Sequence, residues 1–482
     1  MQKDTEMSTH EVLLKRLNTC IVTKNYAEFN ELLSEAQLQF STALSFHGQE
    51  VTEFLANMKQ IMSEDSYPEL DYDMAVDVVG QIVRMVSFDQ ILGVFEVGDL
   101  MNVFNSNVPS LIKLACRVIQ RSDPKGLFAG SGLIDLLLIQ LFDTKTDVGV
   151  IAEIESALKE LSCDVLIRRR ILGDNAVLLM RTKTNSDPIC TARLLELLQS
   201  IFPYANSGEL NNKLFIFSGK NIIESIDRDI FLFIAITNYY SRLLEVVRNK
   251  NESGHSGARI LNHILNEVIP TYGKLYREQE THFTAWNYGR KYIFNLVKEI
   301  SLLRESEYFR LLDEKYLHIT ASNPDFLEFL KFVNPAYLIE NQGKAIMDML
   351  RVTPSHLAVF RNLISNESSF NTIKEKLNAD RILEMPYIEQ MVLLQKLTSY
   401  DYSAYYLLNN LSKVMSNVVD DKAGRITEPE TFELRREVLE NLLLLPNDFL
   451  NVWADPIKKS YRGITTGSED HGSFAEVADV YL

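Results

Sequence analysis

The chain has little of what functional assignments usually start from. Only four of its 482 residues are cysteine, and Cys20, Cys116, Cys163 and Cys190 are too scattered for a CxxC pair. Such spacing makes neither a disulfide framework nor a thiolate metal site. With no charged-then-apolar leader at the amino end, the expectation is a reduced protein of the cytoplasm, with the nucleus also open to it. The eight histidines are isolated, without HxxxH, HExxH or HxH spacing. His263 and His318 stand among apolar residues and read as packed or hydrogen-bonded side chains, so no metal and no cofactor is expected. The longest apolar stretches, such as Ile230 to Ile236, fall far short of the roughly 20 residues that cross a bilayer, and no membrane partner is expected. Alternating apolar and polar residues are nearly absent as well. Lys213 to Ser218 could pass for a strand, but one short candidate between helices cannot make a sheet.

Positive charge is also short. There are 49 Lys and Arg against 65 Asp and Glu, a formal net charge of −16, and within residues 1–110 alone 17 acidic side chains face 6 basic ones. Nucleic-acid binding draws most of its affinity from cations that displace counterions around phosphate, so this balance argues against direct contact with DNA or RNA. A basic protein partner or a soluble complex fits better.

What the chain does have is apolar material, 46% of residues with 25 Phe and 20 Tyr, in helical rhythm from near Glu11 to about Tyr461. Pro68, Pro109, Asp147, Pro188 and Asp229 each head an apolar-periodic segment, at steps of 41, 38, 41 and 41 residues. A step of this size fits one antiparallel helix pair with its turns, the unit of armadillo and HEAT-type arrays. The hairpin from Pro109 to Asp143 is the clearest. Leu111, Leu114, Ala115, Val118 and Ile119 make one buried stripe, and a second helix from Ser131 buries Leu133, Ile134, Leu136, Leu137 and Leu141 with Asp135 and Gln140 toward solvent. The phase changes between Arg248 and Phe283, and Pro324, Pro354, Pro386 and Pro429 then follow at less regular steps. The expected fold is all-α, a HEAT/armadillo-like helical-repeat solenoid over residues 1–461. A joint near 249–283 separates two arms that together would enclose a partner, and residues 462–482 form a tail.

No motif assembles a catalytic constellation, and an enzyme is not expected. The Gly126–Gly132 segment lacks the Gly-Lys-Ser/Thr end of a phosphate loop and follows a helix where that motif needs a strand, so it reads as a turn. Asp71-Tyr72-Asp73 with Asp77 reads as a helix cap, and no GxSxG elbow is present. Arg168-Arg169-Arg170 is the densest basic cluster, but consecutive helical residues point about 100° apart and make no flat patch. Asn238-Tyr239-Tyr240-Ser241-Arg242 joins aromatics, an amide and an arginine, types that dominate protein interfaces, against the plainer reading of tyrosines packed between repeats.

Several stretches resemble a known family. They are Ala115-Cys116-Arg117-Val118-Ile119 with Pro124-Lys125-Gly126-Leu127-Phe128-Ala129, Ile134-Asp135 with Leu141-Phe142-Asp143, Leu166-Ile167-Arg168-Arg169-Arg170, Met385 to Met391, Leu397-Thr398 with Tyr400 and Tyr402, and Asn238-Tyr239-Tyr240. Together, from about residue 10 to about 460, they are similar to the budding-yeast family of dedicated assembly chaperones of the proteasome regulatory-particle base, which carries an older association with DNA mismatch repair. The resemblance implies a C-shaped array that grips the carboxyl-terminal helical domain of the first proteasomal AAA-ATPase of the ring. It also implies contact with the neighbouring second ATPase and the large non-ATPase base subunit, and an indirect part in mismatch repair. Candidate contact positions, taken from helical phase as solvent-available residues of the middle units, are Asp135, Arg168, Asn175, Asn212, Tyr239 and Arg242. A general or nuclear-transport-type helical scaffold shares the repeat and the acidity and stays open as the alternative.

Overall fold

Local signals at the helix heads account for the architecture. In the computed structural model, which describes residues 9–41, 46, 48–63, 69–185, 187–250, 258–420 and 428–465, all regular structure is helical and no strand occurs among the described residues. The Asp71 carboxylate accepts from the Met74 amide, Asp147 from Val150 and Asp187 from Ile189, each satisfying an amide that the first turn leaves without a partner. Pro109 and Pro188 occupy first helical positions, where no N–H is needed. Pro68 lies outside the described residues.

Two compact units emerge, residues 1–296 and 297–482. In the first, the helices Tyr26–Phe40, Tyr72–Met85, Pro109–Gln120, Val148–Leu161, Pro188–Ile201 and Ile230–Lys250 pack in succession as one layer. From Tyr72 onward their starts fall 37, 39, 40 and 42 residues apart. The second layer holds Gln49–Ser63, Phe88–Val94 with Val97–Asn105, Leu133–Phe142, Val165 to Thr184, Gly219–Arg228 and Ala258–Arg277. Neither layer could bury its apolar face alone, and stacking supplies the core in one dimension.

Side chains also tie each repeat to the next. Arg117 reaches Glu153 at 2.9 Å, Gln120 donates to the Ser156 hydroxyl at 3.0 Å and Arg121 to the Val86 carbonyl at 3.3 Å. Gly80 makes the first of these possible: a Cβ there would come within 2.6 Å of the Arg117 guanidinium, so the missing side chain is the space in which Arg117 lies.

Ile230–Lys250 continues well past the apolar stretch Ile230 to Ile236, and over 21 residues it is long and apolar enough to cross a membrane by length and composition. Its Leu232, Phe233, Ile236, Tyr239, Tyr240, Leu243, Leu244 and Val247 are buried within the stack, as in a core helix.

Helices in the second unit are shorter. Leu357–Ile364, Tyr387–Thr398, Pro429–Leu443 and Ala454–Thr465 pack in succession. Pro386 and Pro429 stand at helix heads, and Pro354 opens a short 3-10 turn. The last helix runs to Thr465, four residues beyond the expected end of the array, and 466–482 lie outside the described residues. The expected joint at 249–283 falls inside the first unit, with 251–257 outside the described residues.

Two histidines depart from expectation. His263 and His318 are both exposed, His318 in the left-handed conformation that ends the turn Asp313–Leu317.

Candidate partner-binding surface

Two of the six candidate residues meet. Asp135 sits in the first turn of Leu133–Phe142, and in the next repeat the helix Val165–Arg169 widens into a π turn over Arg170–Asp174. Such a turn inserts a residue into the helical ladder and re-aims the side chains around it. Here it turns Arg170 and Asn175 back onto Asp135: Arg170 pairs with both Asp135 oxygens, and the Asn175 amide donates to Asp135 Oδ1 at 2.7 Å and to the Arg170 carbonyl at 3.0 Å. The hydrogen bond to Asp135 leads the effects that raise the Arg170 pKa, with Asp174 adding to it. This cluster is half-buried and internally satisfied.

Arg168 is a correction. Expected toward solvent, it is 4% exposed. Its Nε donates to Glu209 at 3.1 Å, and Nη1 donates to the Ser162 and Cys163 carbonyls at 3.0 and 2.9 Å. Only Arg169 of the triple arginine is exposed, so the cluster makes no basic patch.

Tyr239 is the second correction, at 1% exposure. Its hydroxyl donates to the Phe215 carbonyl at 2.9 Å, and burial raises its pKa well above the usual tyrosine value. Next to it, the Tyr240 hydroxyl accepts from the Phe217 amide and donates to the Phe217 carbonyl, both at 2.8 Å. Across the same segment Lys183 donates to the carbonyls of Lys213, Leu214 and Ile216 and lies 4.3 Å from the centre of the Phe217 ring. The strand-like stretch 213–218 thus has its backbone groups taken up by side chains from two neighbouring helices, and it folds as a short helix, Asn212–Phe215, followed by extended chain. Asn212 is exposed at the head of that helix. Arg242 is exposed and pairs with Glu245 at 3.1 Å, a contact one turn along its own helix.

The surface around the Asp135 cluster holds residues that the sequence reading passed over. Ile139, one turn after Asp135 and on the same helical face, is 55% exposed; Val165, Leu166 and Val177 are 51%, 53% and 65% exposed. Apolar side chains beside a satisfied arginine, amide and carboxylate are the composition of an interface centre. Ile139 was concealed by the apolar run Leu133–Phe142, in which composition does not tell the inward from the outward leucines and isoleucines. Counting one turn on from Asp135 would have found it. A further row was legible from the caps: Val108, Val148, Ile189 and Phe231, at steps of 40, 41 and 42 residues, are all exposed at the heads of first-layer helices.

The candidate region has no grouping of three or more His, Cys, Asp or Glu able to hold a metal among the described residues. Cys116 and Cys190 are buried and Cys163 is exposed, all as free thiols.

Comparison with known proteins gives the chain its relatives. Family models for the amino-terminal and carboxyl-terminal domains of DNA mismatch repair protein HSM3 match residues 11–245 and 258–482. A protein of that name from Eremothecium gossypii is 37% identical over 430 residues, 89% of each chain. The Saccharomyces cerevisiae protein is 33% identical over 476 residues, covering 97% of this chain and 98% of its own, and the Candida glabrata protein is 31% identical over 90% of each. The chain belongs to the HSM3 family and carries both of its domains.

Proposed function

We propose that the protein is an assembly chaperone for the base of the proteasome regulatory particle. It holds the carboxyl-terminal helical domain of the first AAA-ATPase subunit, brings in the second ATPase and the large non-ATPase base subunit, and acts by holding them, with no bond made or broken. The observation that carries this reading is the exposure of Ile139, Leu166 and Val177 on the helices that flank the Asp135–Arg170–Asn175 cluster in one layer of a helical stack, a surface suited to a folded partner. The segments at 111–143 and 385–402 that resemble the chaperone family support the choice of partner. We place its work in the cytoplasm, with the nucleus open to it.

The relatives' name favours one second reading, direct action on mismatched DNA. The net charge of −16 weighs against it, and we take any part in repair as indirect.

A pull-down of the full chain against the isolated carboxyl-terminal domains of the six proteasomal ATPases tests the proposal. Capture of one domain, lost on Ile139→Asp or Val177→Asp, is the expected result. Equal indifference to all six, or duplex DNA binding with a steep salt dependence, overturns it.

A further inference from the structure

The second unit contains an aromatic cleft that the chaperone reading does not use. Asp401, Tyr402, Tyr405 and Tyr406 lie on one face of Asp401–Asn410, spaced one turn apart in pairs. Opposite them stand Phe370 of Glu367–Ile373, Lys374 and Glu375 just beyond it, and Phe449 of Asn447–Leu450. Phe370 is buried and acts as the keystone, with Tyr402 tilted against it at 5.5 Å and Tyr406 edge-on at 5.7 Å. Tyr402 is fixed from behind, since its hydroxyl donates to the Ile364 carbonyl at 2.7 Å. Tyr405 meets Phe449 edge-on at 5.3 Å, yet it stays 54% exposed. The rings are held by one another, and part of their surface is left to solvent.

The charges around the cleft are mainly negative. Glu375 and Asp401 are exposed and enter no ion pair among the described residues. Glu367 stands near Tyr402, and burial with Tyr400 and Glu367 pushes the Tyr402 hydroxyl up to about 12. Burial, and after it the Glu375 carboxylate, raises Tyr406. The one cation lining the cleft, Lys374, has its ammonium on Asn371 Oδ1 at 3.0 Å. Asp448 adds another exposed carboxylate beside Phe449. Aromatic rings with adjacent carboxylates attract a cation twice over, through the negative ring faces and through direct Coulomb attraction. An acidic or phosphorylated segment would be repelled by the same groups.

We propose that this cleft binds an arginine or lysine side chain carried on an extended basic segment of a partner protein. The aliphatic stem lies along Tyr405 and Phe449, and the cationic head is directed at Glu375 and Asp401. Arginine suits the site better than lysine, because its planar guanidinium stacks on a ring while donating to a carboxylate. The same feature matches the acidic character of the whole chain, for which a basic partner was the expected complement. The inference is independent of the ATPase contact, which is placed on residues of the first unit.

The test uses the full-length protein and three fluorescein-labelled decapeptides of one Gly-Ser frame, with an Arg-Leu-Arg, a Glu-Leu-Glu or a Pro-Leu-Pro centre. Anisotropy titrations should show binding of the arginine peptide alone. Loss of one stacking ring in Tyr405→Ala should weaken it by roughly 5-fold or more, and Glu375→Gln with Asp401→Asn should weaken it similarly and flatten its salt dependence. Because the chain is acidic throughout, a control carrying Glu430→Gln with Asp455→Asn removes the same charge elsewhere in the unit and should bind as the parent does. Arginine-peptide binding that survives Tyr405→Ala, an equal loss in the control, or equal binding of the proline peptide overturns the proposal. Far-ultraviolet circular dichroism and thermal melting confirm that each variant is folded, and the ATPase-domain pull-down, expected to be the same for parent and cleft variants, separates a lost cleft from a lost chaperone surface.

Discussion

Arg168 and Arg435 are both buried arginines, one in each unit, and they are held in different ways. Arg168 reaches a carboxylate 41 residues further on, Glu209, and completes its bonds on the carbonyls of Ser162 and Cys163. Arg435 has its guanidinium on the Val418 and Asp420 carbonyls and the Ser460 hydroxyl, at 2.7 to 3.1 Å. Their surroundings hold ties of both kinds, since Lys183 caps carbonyls in the first unit and Lys413 pairs with Asp380, 33 residues back, in the second. In the first unit Arg117–Glu153 and Arg170–Asp135 join side chain to side chain across one repeat. In the second, Asn362 donates to the Leu330 and Val333 carbonyls, Tyr402 to Ile364 and Gln390 to Met385. Long helices at a steady step bring equivalent side chains opposite one another, so charged pairs can recur. Helix ends leave carbonyls without intrahelical partners in both units, and side chains such as Lys183 in the first and Asn362 in the second go to those as well.

Removing Glu209 gives the strongest way to break this comparison. Glu209→Ala leaves the buried Arg168 charge without its carboxylate, and the expected loss is about 3 kcal/mol, the range for losing one partner of a buried pair. Hydrogen exchange read by mass spectrometry should place the loosening in the first unit. A double-mutant cycle with Arg168→Met should show the second substitution costing far less once the first is made. Independent, additive losses would mean that the carboxylate is not what holds Arg168.

Arg435→Met comes next, at about 2 kcal/mol, because the carbonyls it leaves can recover part of their bonding from water. Exchange should rise around Val418 and in Ala454–Thr465 while the first unit keeps its protection. A matching rise at residues 148–184 would show that the bonds of Arg435 do not act within its own unit.

A smaller effect separates charge from backbone capping inside the first unit. Burial pulls Lys183 down to about 8 from an ordinary 10.5, against the pull of three carbonyl oxygens that favour its charged form. Between those two values the unfolded chain holds the proton more tightly than the folded chain, so stability rises with pH across the window and the cost of burying the charge is fully present below it. From pH ~7.5 to ~9 the gain should be about 1 kcal/mol in urea denaturation, and Lys183→Met should abolish the rise. A parent whose stability is flat over that range would show that the carbonyls cancel the burial.

Ile139→Asp should change stability by less than about 0.5 kcal/mol, since it is a surface substitution, while removing capture of the ATPase domain. Melting that falls with capture would reassign Ile139 to packing.

Helix heads were legible in the sequence because their causes are local. Asp147, Pro109 and Pro188 signal within a turn of where they act, and the first-layer starts follow those signals closely. The fate of Arg168 was not legible, since its burial depends on Glu209 in the next repeat, and nothing within a turn of Arg168 announces that partner. Tyr239 was ambiguous for a related reason: its hydroxyl has to find the Phe215 carbonyl, a contact 24 residues back. Asp135 and Asn175 were found by helical phase, but their meeting requires the π turn at Arg170–Asp174, which a regular 3.6-residue count does not anticipate.

Gly80, without a side chain of its own, is shaped around a guanidinium that belongs to the following repeat, and Arg117 in turn reaches Glu153 in the repeat after that. Three consecutive units are therefore interlocked by a single residue. An array joined in this way cannot be lengthened or shortened by duplicating or deleting one hairpin at that point, because the splice would confront an arginine with the wrong neighbour on one side. Here the units have become individual, and their order in the chain is as fixed as the order of residues within a helix.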